Sequence, residues 1–139
     1  MLNPILIDSS FLYELHNPKT FFRTQVAQFV QVEKRPRIVP DVVLTEGAYL
    51  IRQRIGQHAV IRFLTTVDIL GFQFEPVTGS DLKRAGQIMN HYRDADFDFV
   101  DCCIMAISER LNITTVYTLD RRDFAMFRPT HCEYLELLP

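Results

Sequence analysis

Short apolar runs of strand length alternate with longer segments of helical period along the whole chain. Residues 4–8 read as a short buried strand, and Ser9 and Ser10 cap a short helix reaching about His16. Asn17-Pro18 breaks the chain, and Pro18 starts a helix to about Glu33, with Phe21, Phe22, Val26, Phe29 and Val30 at helical spacing. Arg37 to Val39 is a brief strand. Pro40-Asp41 opens a helix to about Ile55, with Gly56 as its stop. Residues 57–70 form another helix, and Phe72 to Val77 alternates like a strand. Gly79-Ser80-Asp81 starts a helix to about Tyr92, Arg93 to Asp96 is a polar loop, and a further helix runs from about Phe99 to Leu111. Thr114 to Leu119 is a β-rich strand, Arg121 to Phe127 a short helix, and Tyr134 to Leu138 a last strand. This order predicts an α/β fold with a mainly parallel central sheet and helices on both faces. Ligand sites in such sheets lie beyond the carboxyl ends of the strands.

Four acids interrupt the apolar pattern. Asp8 closes Pro4-Ile5-Leu6-Ile7, and Glu46 falls between Val42-Val43-Leu44 and Ala48-Tyr49-Leu50-Ile51. Asp101 opens Cys102-Cys103-Ile104-Met105-Ala106-Ile107, and Asp120 closes Val116-Tyr117-Thr118-Leu119. A lone buried carboxylate is expensive, so such residues are paired or bound to a cation. Each has a local alternative. Asp8 and Asp120 can cap the helices that follow them. Glu46 can pair with an arginine, although Val42, Val43, Tyr49 and Leu50 share its helical face. Asp98, three residues before Asp101, is best placed as a helix cap, which leaves Asp101 in the first turn near the positive end of the helix dipole. Asp123 repeats that spacing after Asp120, as an auxiliary ligand.

Composition narrows the field. The 139 residues suit one domain spanning the chain, and 47% apolar residues argue for a packed core. No segment approaches the roughly 20 apolar residues of a membrane span. The first apolar stretch is cut by Pro4 and Asp8, so it is not a signal peptide, and a cytoplasmic address is expected. Cys102, Cys103 and Cys132 form no disulfide framework, and the four histidines have no zinc-ligand spacing. The net charge of −2 does not announce a nucleic-acid binder, but arginine outnumbers lysine twelve to three, and arginine makes forked contacts with phosphate.

Oxygen-only donors suit Mg²⁺ or Mn²⁺. Clustered carboxylates repel each other, and a divalent ion reverses the sign of that interaction. The chemistry that follows is phosphodiester hydrolysis, with one ion or with two about 4 Å apart. A phospho-acceptor signalling domain also places acids at strand ends, but Lys19, Lys34 and Lys83 fall at no predicted strand's carboxyl end.

Ile5-Leu6-Ile7-Asp8-Ser9-Ser10, Val43-Leu44-Thr45-Glu46, Asp98-Phe99-Val100-Asp101 and Thr118-Leu119-Asp120-Arg121-Arg122-Asp123-Phe124 together resemble a PIN domain, and most closely the VapC-type toxin ribonucleases and their stand-alone relatives. The likeness covers essentially the full chain in length and element order. It implies a three-layer α/β/α sandwich and an Mg²⁺- or Mn²⁺-dependent endoribonuclease. On matching positions it implies Asp8, Glu46, Asp101 and Asp120 as the metal-binding catalytic acids, with Asp98, Asp123, Thr118 and Ser9 auxiliary to them. Thr118 would hold a water or a carboxylate, and Arg121 and Arg122 would contact RNA phosphates. The resemblance also implies a homodimer and a small antitoxin that inhibits the enzyme. The Phe21/Phe22/Val26/Phe29 stripe and the Val60/Ile61/Phe63/Leu64 stretch would line such surfaces unless they pack in the core. A housekeeping RNA-processing nuclease and a non-catalytic RNA- or protein-binding module of the same fold are the alternatives.

Overall fold

Short runs rich in β-branched residues and leucine supply four of the five strands, and the breakers between them set the connections. The computed structural model describes residues 3–139. Among these residues the elements run β1 (Ile5–Ile7), α1 (Ser9–His16), α2 (Arg23–Val32), β2 (Arg37–Pro40), α3 (Asp41–Arg54), α4 (Gln57–Ile69), β3 (Gln73–Glu75), α5 (Gly79–His91), α6 (Phe99–Arg110), β4 (Thr115–Tyr117), α7 (Arg122–Met126) and β5 (Glu136–Leu138). A single 3-10 turn, Arg93–Ala95, stands where the polar loop was expected.

The sheet order is β3-β2-β1-β4-β5, and every neighbouring pair is parallel. Helices flank it, giving the α/β/α arrangement. The chain winds outward from β1 to β3, then returns to the other side of β1 as β4. The β1/β4 boundary is therefore the point where the winding reverses, and a crevice opens there beyond the strand ends. Ile5, Leu6, Ile7, Val116 and Tyr117 are all fully buried, as near-continuous apolar runs in a two-faced sheet must be. Phe11 of α1 packs edge-on against Phe29 and Tyr117, with ring centroids 5.2 and 4.8 Å away.

Two local features bring the helices around that crevice together. Gly47 faces Leu12, and a Cβ there would stand 3.2 Å from the leucine Cδ1, so its absence lets α1 and α3 approach closely. Asp98 caps α6, accepting from the backbone N–H groups of Val100 (3.1 Å) and Asp101 (3.4 Å).

The first long helix departs from expectation. It starts at Arg23 rather than Pro18. Residues 17–22 spend their polar groups on a turn: Lys19 N–H donates to Asn17 Oδ1, Thr20 N–H to the Asn17 carbonyl, and Phe22 N–H to Thr20 Oγ1. Of the apolar stripe, Val26 and Phe29 enter the core, while Phe21 is 97% exposed. The α4 stretch divides likewise, with Phe63 buried and Ile61 and Leu64 exposed. No helix among the described residues is long and apolar enough to cross a membrane.

Candidate active site

A cavity of about 580 Å³ opens at the β1/β4 crevice. Asp8, Ser9, Glu46, Asp98, Asp101, Asp120, Asp123 and Arg122 all line it. The acids arrive from separate parts of the chain: the end of β1, the middle of α3, the cap and first turn of α6, the segment after β4, and the first turn of α7.

Asp8 lies deepest, at 3% exposure. It is both a cap and a cavity residue. One carboxylate oxygen accepts from Ser9 N–H, which starts α1. The other accepts from Thr118 Oγ1 at 2.6 Å and Ser10 Oγ at 3.1 Å. Thr118 also accepts from the Asp120 N–H at 3.1 Å, so its hydroxyl ties the β1 acid to the backbone after β4. Burial raises the Asp8 pKa, and these donors pull it part of the way back.

Glu46 does not sit within an apolar stripe. Tyr49 is exposed, and the core face of α3 is Val43, Gly47 and Ile51. Glu46 stands at the margin of that face and turns into the cavity, where it accepts from Ser9 Oγ. The same hydroxyl lies 3.2 Å from Asp8 Oδ1. One hydroxyl proton serves only one carboxylate at a time, so Ser9 mediates between two acids that otherwise repel. Glu46 is raised by burial first, then by the charges of Asp98 and Asp8 against the Ser9 hydrogen bond.

Asp101 is strongly perturbed. Burial, with the charges of Asp8, Asp98, Asp123 and Glu46, pushes its carboxyl up to about 9. Asp120 is exposed at the rim and is not among the charges acting on Asp101. It caps nothing, because α7 has no side-chain cap. Asp98 and Asp123, expected as auxiliaries, thus stand electrostatically nearer to Asp101 than Asp120 does. The Asp98 N–H donates to Asp123 Oδ2 across a 3.4 Å contact.

The arginines divide. Arg122 lines the cavity, donates to the Ala95 carbonyl and lies 3.4 Å from Asp123. Arg121 lies outside it, with its guanidinium on the Leu137 and Pro139 carbonyls. Sequence reasoning missed Arg54, which lines the cavity from the end of α3, and Ser10, which joins Asp8 to the Leu119 N–H. Arg54 lies eight residues after Glu46, close to the two-turn spacing that returns to one helical face, and that was the available signal.

The donor set suits a hard cation. Asp81, equally buried, shows the contrast: burial would raise it, but Arg110 at 2.9 Å helps hold it below the ordinary carboxylate range. Among the described residues, Asp8, Glu46, Asp98, Asp101 and Asp120 form no ion pair. No three of the described acids, histidines or cysteines form a ready-made metal cage. Asp8, Glu46 and Asp98 are turned onto hydroxyl and amide donors, so the carboxylates share a cavity rather than a common point.

The PIN domain family matches residues 5–128. The chain is 23% identical over 125 residues to Ribonuclease VapC26 of Mycobacterium tuberculosis, covering 90% of this chain and 93% of that protein. Its fold is similar to that of VapC20 of Mycobacterium tuberculosis, a sarcin-ricin loop cleaving toxin, with a TM-score of 0.83, 19% identity, and coverage of 97% of this chain and 99% of that one. It is also similar to a chain of VapBC2 from Rickettsia felis bound to a promoter DNA fragment, with a TM-score of 0.68, 12% identity and 96% of each chain covered. Parallel sheet, acid cavity and matched span agree: this chain belongs to the PIN domain family.

Proposed function

We propose that this chain is a divalent-metal-dependent endoribonuclease, the toxin of a type II toxin-antitoxin pair, using Mg²⁺ or Mn²⁺. The observation that carries this reading is the cavity in which Asp8, Glu46, Asp98, Asp101, Asp120 and Asp123 gather without a compensating cation for most of them. PIN family membership and the likeness to Ribonuclease VapC26 support the choice of RNA.

Asp8, Glu46, Asp101 and Asp120 would hold the ion, with Asp98 and Asp123 flanking. When bound, such an ion lowers the pKa of a water and stabilises charge on phosphoryl oxygens. The protein's own groups have separate tasks. Thr118 and Ser10 fix the Asp8 carboxylate in one orientation. Ser9 separates the charges of Asp8 and Glu46. Asp101 gives up the proton that burial, and then its neighbours' charge, makes it retain. Arg54 and Arg122, on the cavity wall, face incoming phosphate.

The similar structures include a toxin-antitoxin complex from Klebsiella pneumoniae, at a TM-score of 0.67 and 15% identity. On that likeness a small antitoxin is the proposed partner; a homodimer and a cytoplasmic location are proposed from the resemblance in sequence alone. The exposed side chains of Phe21, Ile61 and Leu64 suit such contacts.

The test is cleavage of a mixed RNA pool by purified protein with Mg²⁺ or Mn²⁺, beside EDTA and the Asp101→Asn variant. Cleavage that requires metal and drops at least a hundredfold in the variant is expected. Intact RNA under every condition, with no Mn²⁺ bound, would replace this reading with a non-catalytic module.

A further inference from the structure

We propose that the RNA strand leaves the acid cavity over the C-terminal end of α5, the 3-10 turn and α7, where Arg128 holds a phosphate. The inference rests on the nuclease reading and adds the direction of the strand.

Three cavities share lining residues along this path. Arg122 lines the acid cavity and also a second cavity of about 470 Å³. His91 and Tyr92 line that second cavity and a third of about 430 Å³. Arg128 and Arg84 line the third, and Asp94 is the one carboxylate lining the second and third together. A guanidinium thus stands where the first two cavities meet, and another lines the third.

The floor of this path is fixed in advance. The Tyr92 ring stacks on Phe97, with centroids 4.5 Å apart and planes 13° apart. Its hydroxyl accepts from the Arg128 N–H at 2.9 Å. The His91 ring stands edge-on to Tyr92, exposed to solvent. An aromatic wall beside a cation is the arrangement that binds single-stranded nucleic acid, with bases stacked and phosphates neutralised. Arg84 is committed to Glu109 by two hydrogen bonds of 2.6 and 3.1 Å. Arg128 has no carboxylate within ion-pair distance among the described residues and uses one terminal nitrogen on the Ala125 and Phe127 carbonyls. Its other donors remain for phosphate.

The opposite side of the acid cavity also leads to a neighbouring cavity, containing Arg23 and Arg62. The residue shared by those two cavities is Glu14. A phosphodiester chain going that way would pass a carboxylate with no ion pair among the described residues, whereas the α5–α7 junction offers Arg122, whose 3.4 Å pairing with Asp123 leaves no bare carboxylate there. Charge at the junctions therefore selects the direction.

The experiment compares cleavage of single-stranded RNA by wild type, Arg128→Glu and, on the other path, Arg62→Glu. Arg128→Gln is carried in parallel because the arginine also bonds the carbonyls at the end of α7. Binding of the same RNA, end-labelled, is measured from 50 to 200 mM salt in an Asp101→Asn background that does not cleave. Arg128→Glu is expected to raise KM at least tenfold with kcat within twofold. Loss of the contact should also make log affinity against log salt shallower by about 0.7, the value for one single-strand phosphate. Arg62→Glu should change neither quantity. If Arg128→Glu unfolds, the folded Arg128→Gln variant is expected to show the same KM and slope changes in smaller degree. Wild-type KM and slope in the folded Arg128 variants, or the loss appearing in Arg62→Glu, would overturn the path while leaving the nuclease reading intact. Failure of the wild type to cleave any RNA would remove the nuclease reading and the path together.

Discussion

Asp101 carries the largest consequence at the scale of single residues. Its pKa in the fold is about 9 against an ordinary 3.8. Between those values the folded state holds a proton that the unfolded chain has released. The stability linked to this group is therefore complete below about 3.8 and drains away as pH rises through 9. Asp101→Asn keeps the shape and removes the titration. In EDTA its Tm should equal or exceed that of wild type, with the gap widening from about pH 5 to about pH 8.5. Thermal melts at the two pH values check this, and a lower Tm at both would instead make Asp101 a structural partner. Thr118 bears on the same site from below. Thr118→Val deletes the 2.6 Å donor to buried Asp8 and should cost about 1–3 kcal/mol in urea unfolding. An unchanged midpoint would remove Thr118 from its positioning role.

Helix termini place the acids at the scale of elements. Asp98 caps α6 and so aims Asp101 from the first turn. Asp98→Ala should lose about 1 kcal/mol, while Asp98→Asn, which still accepts, should retain most of it. Equal loss in both variants would mean that charge rather than capping is the contribution. Elements of this kind were legible in the chain because β1, β2, β4 and β5 carry apolar runs followed by a proline or an acid, while β3, Gln73–Glu75, shows only an alternating pattern. What was not legible depended on depth and on rotation about a helix axis. Asp120 and Asp123 share one motif, yet Asp123 is buried and Asp120 is exposed. Arg121 and Arg122 are adjacent, but about 100° of helical rotation sends one to β5 and the other into the cavity. Glu46 seemed enclosed by Val42, Val43, Tyr49 and Leu50, but the packing of α3 on α1 leaves Tyr49 in solvent and makes that face a cavity wall. The start of α2 moved because hydrogen bonds within residues 17–22 outcompeted a helix that the periodicity alone allows.

Over the whole molecule, a net charge of −2 conceals a strong separation. Arg35, Arg84 and Arg110 are spent on ion pairs with Glu33, Glu136, Glu109, Glu75 and Asp81, away from the crevice. Three of the twelve arginines are thus engaged away from the crevice, while the acids at the winding reversal are left facing each other. A bound divalent ion should relieve that repulsion, so saturating Mn²⁺ should raise the wild-type Tm and leave Asp101→Asn nearly unmoved. Equal shifts in both proteins would place the ion elsewhere. The central claim is that these carboxylates are assembled for a cation, and calorimetric titration of Mn²⁺ into the wild type at about pH 6 and about pH 8 tests it most directly. The account predicts tighter binding at the higher pH, approaching tenfold per pH unit for each proton released, with weaker and less pH-dependent binding in Asp101→Asn. Wild-type affinity that ignores pH, or an Asp101→Asn variant that binds Mn²⁺ as tightly as the wild type, would contradict it.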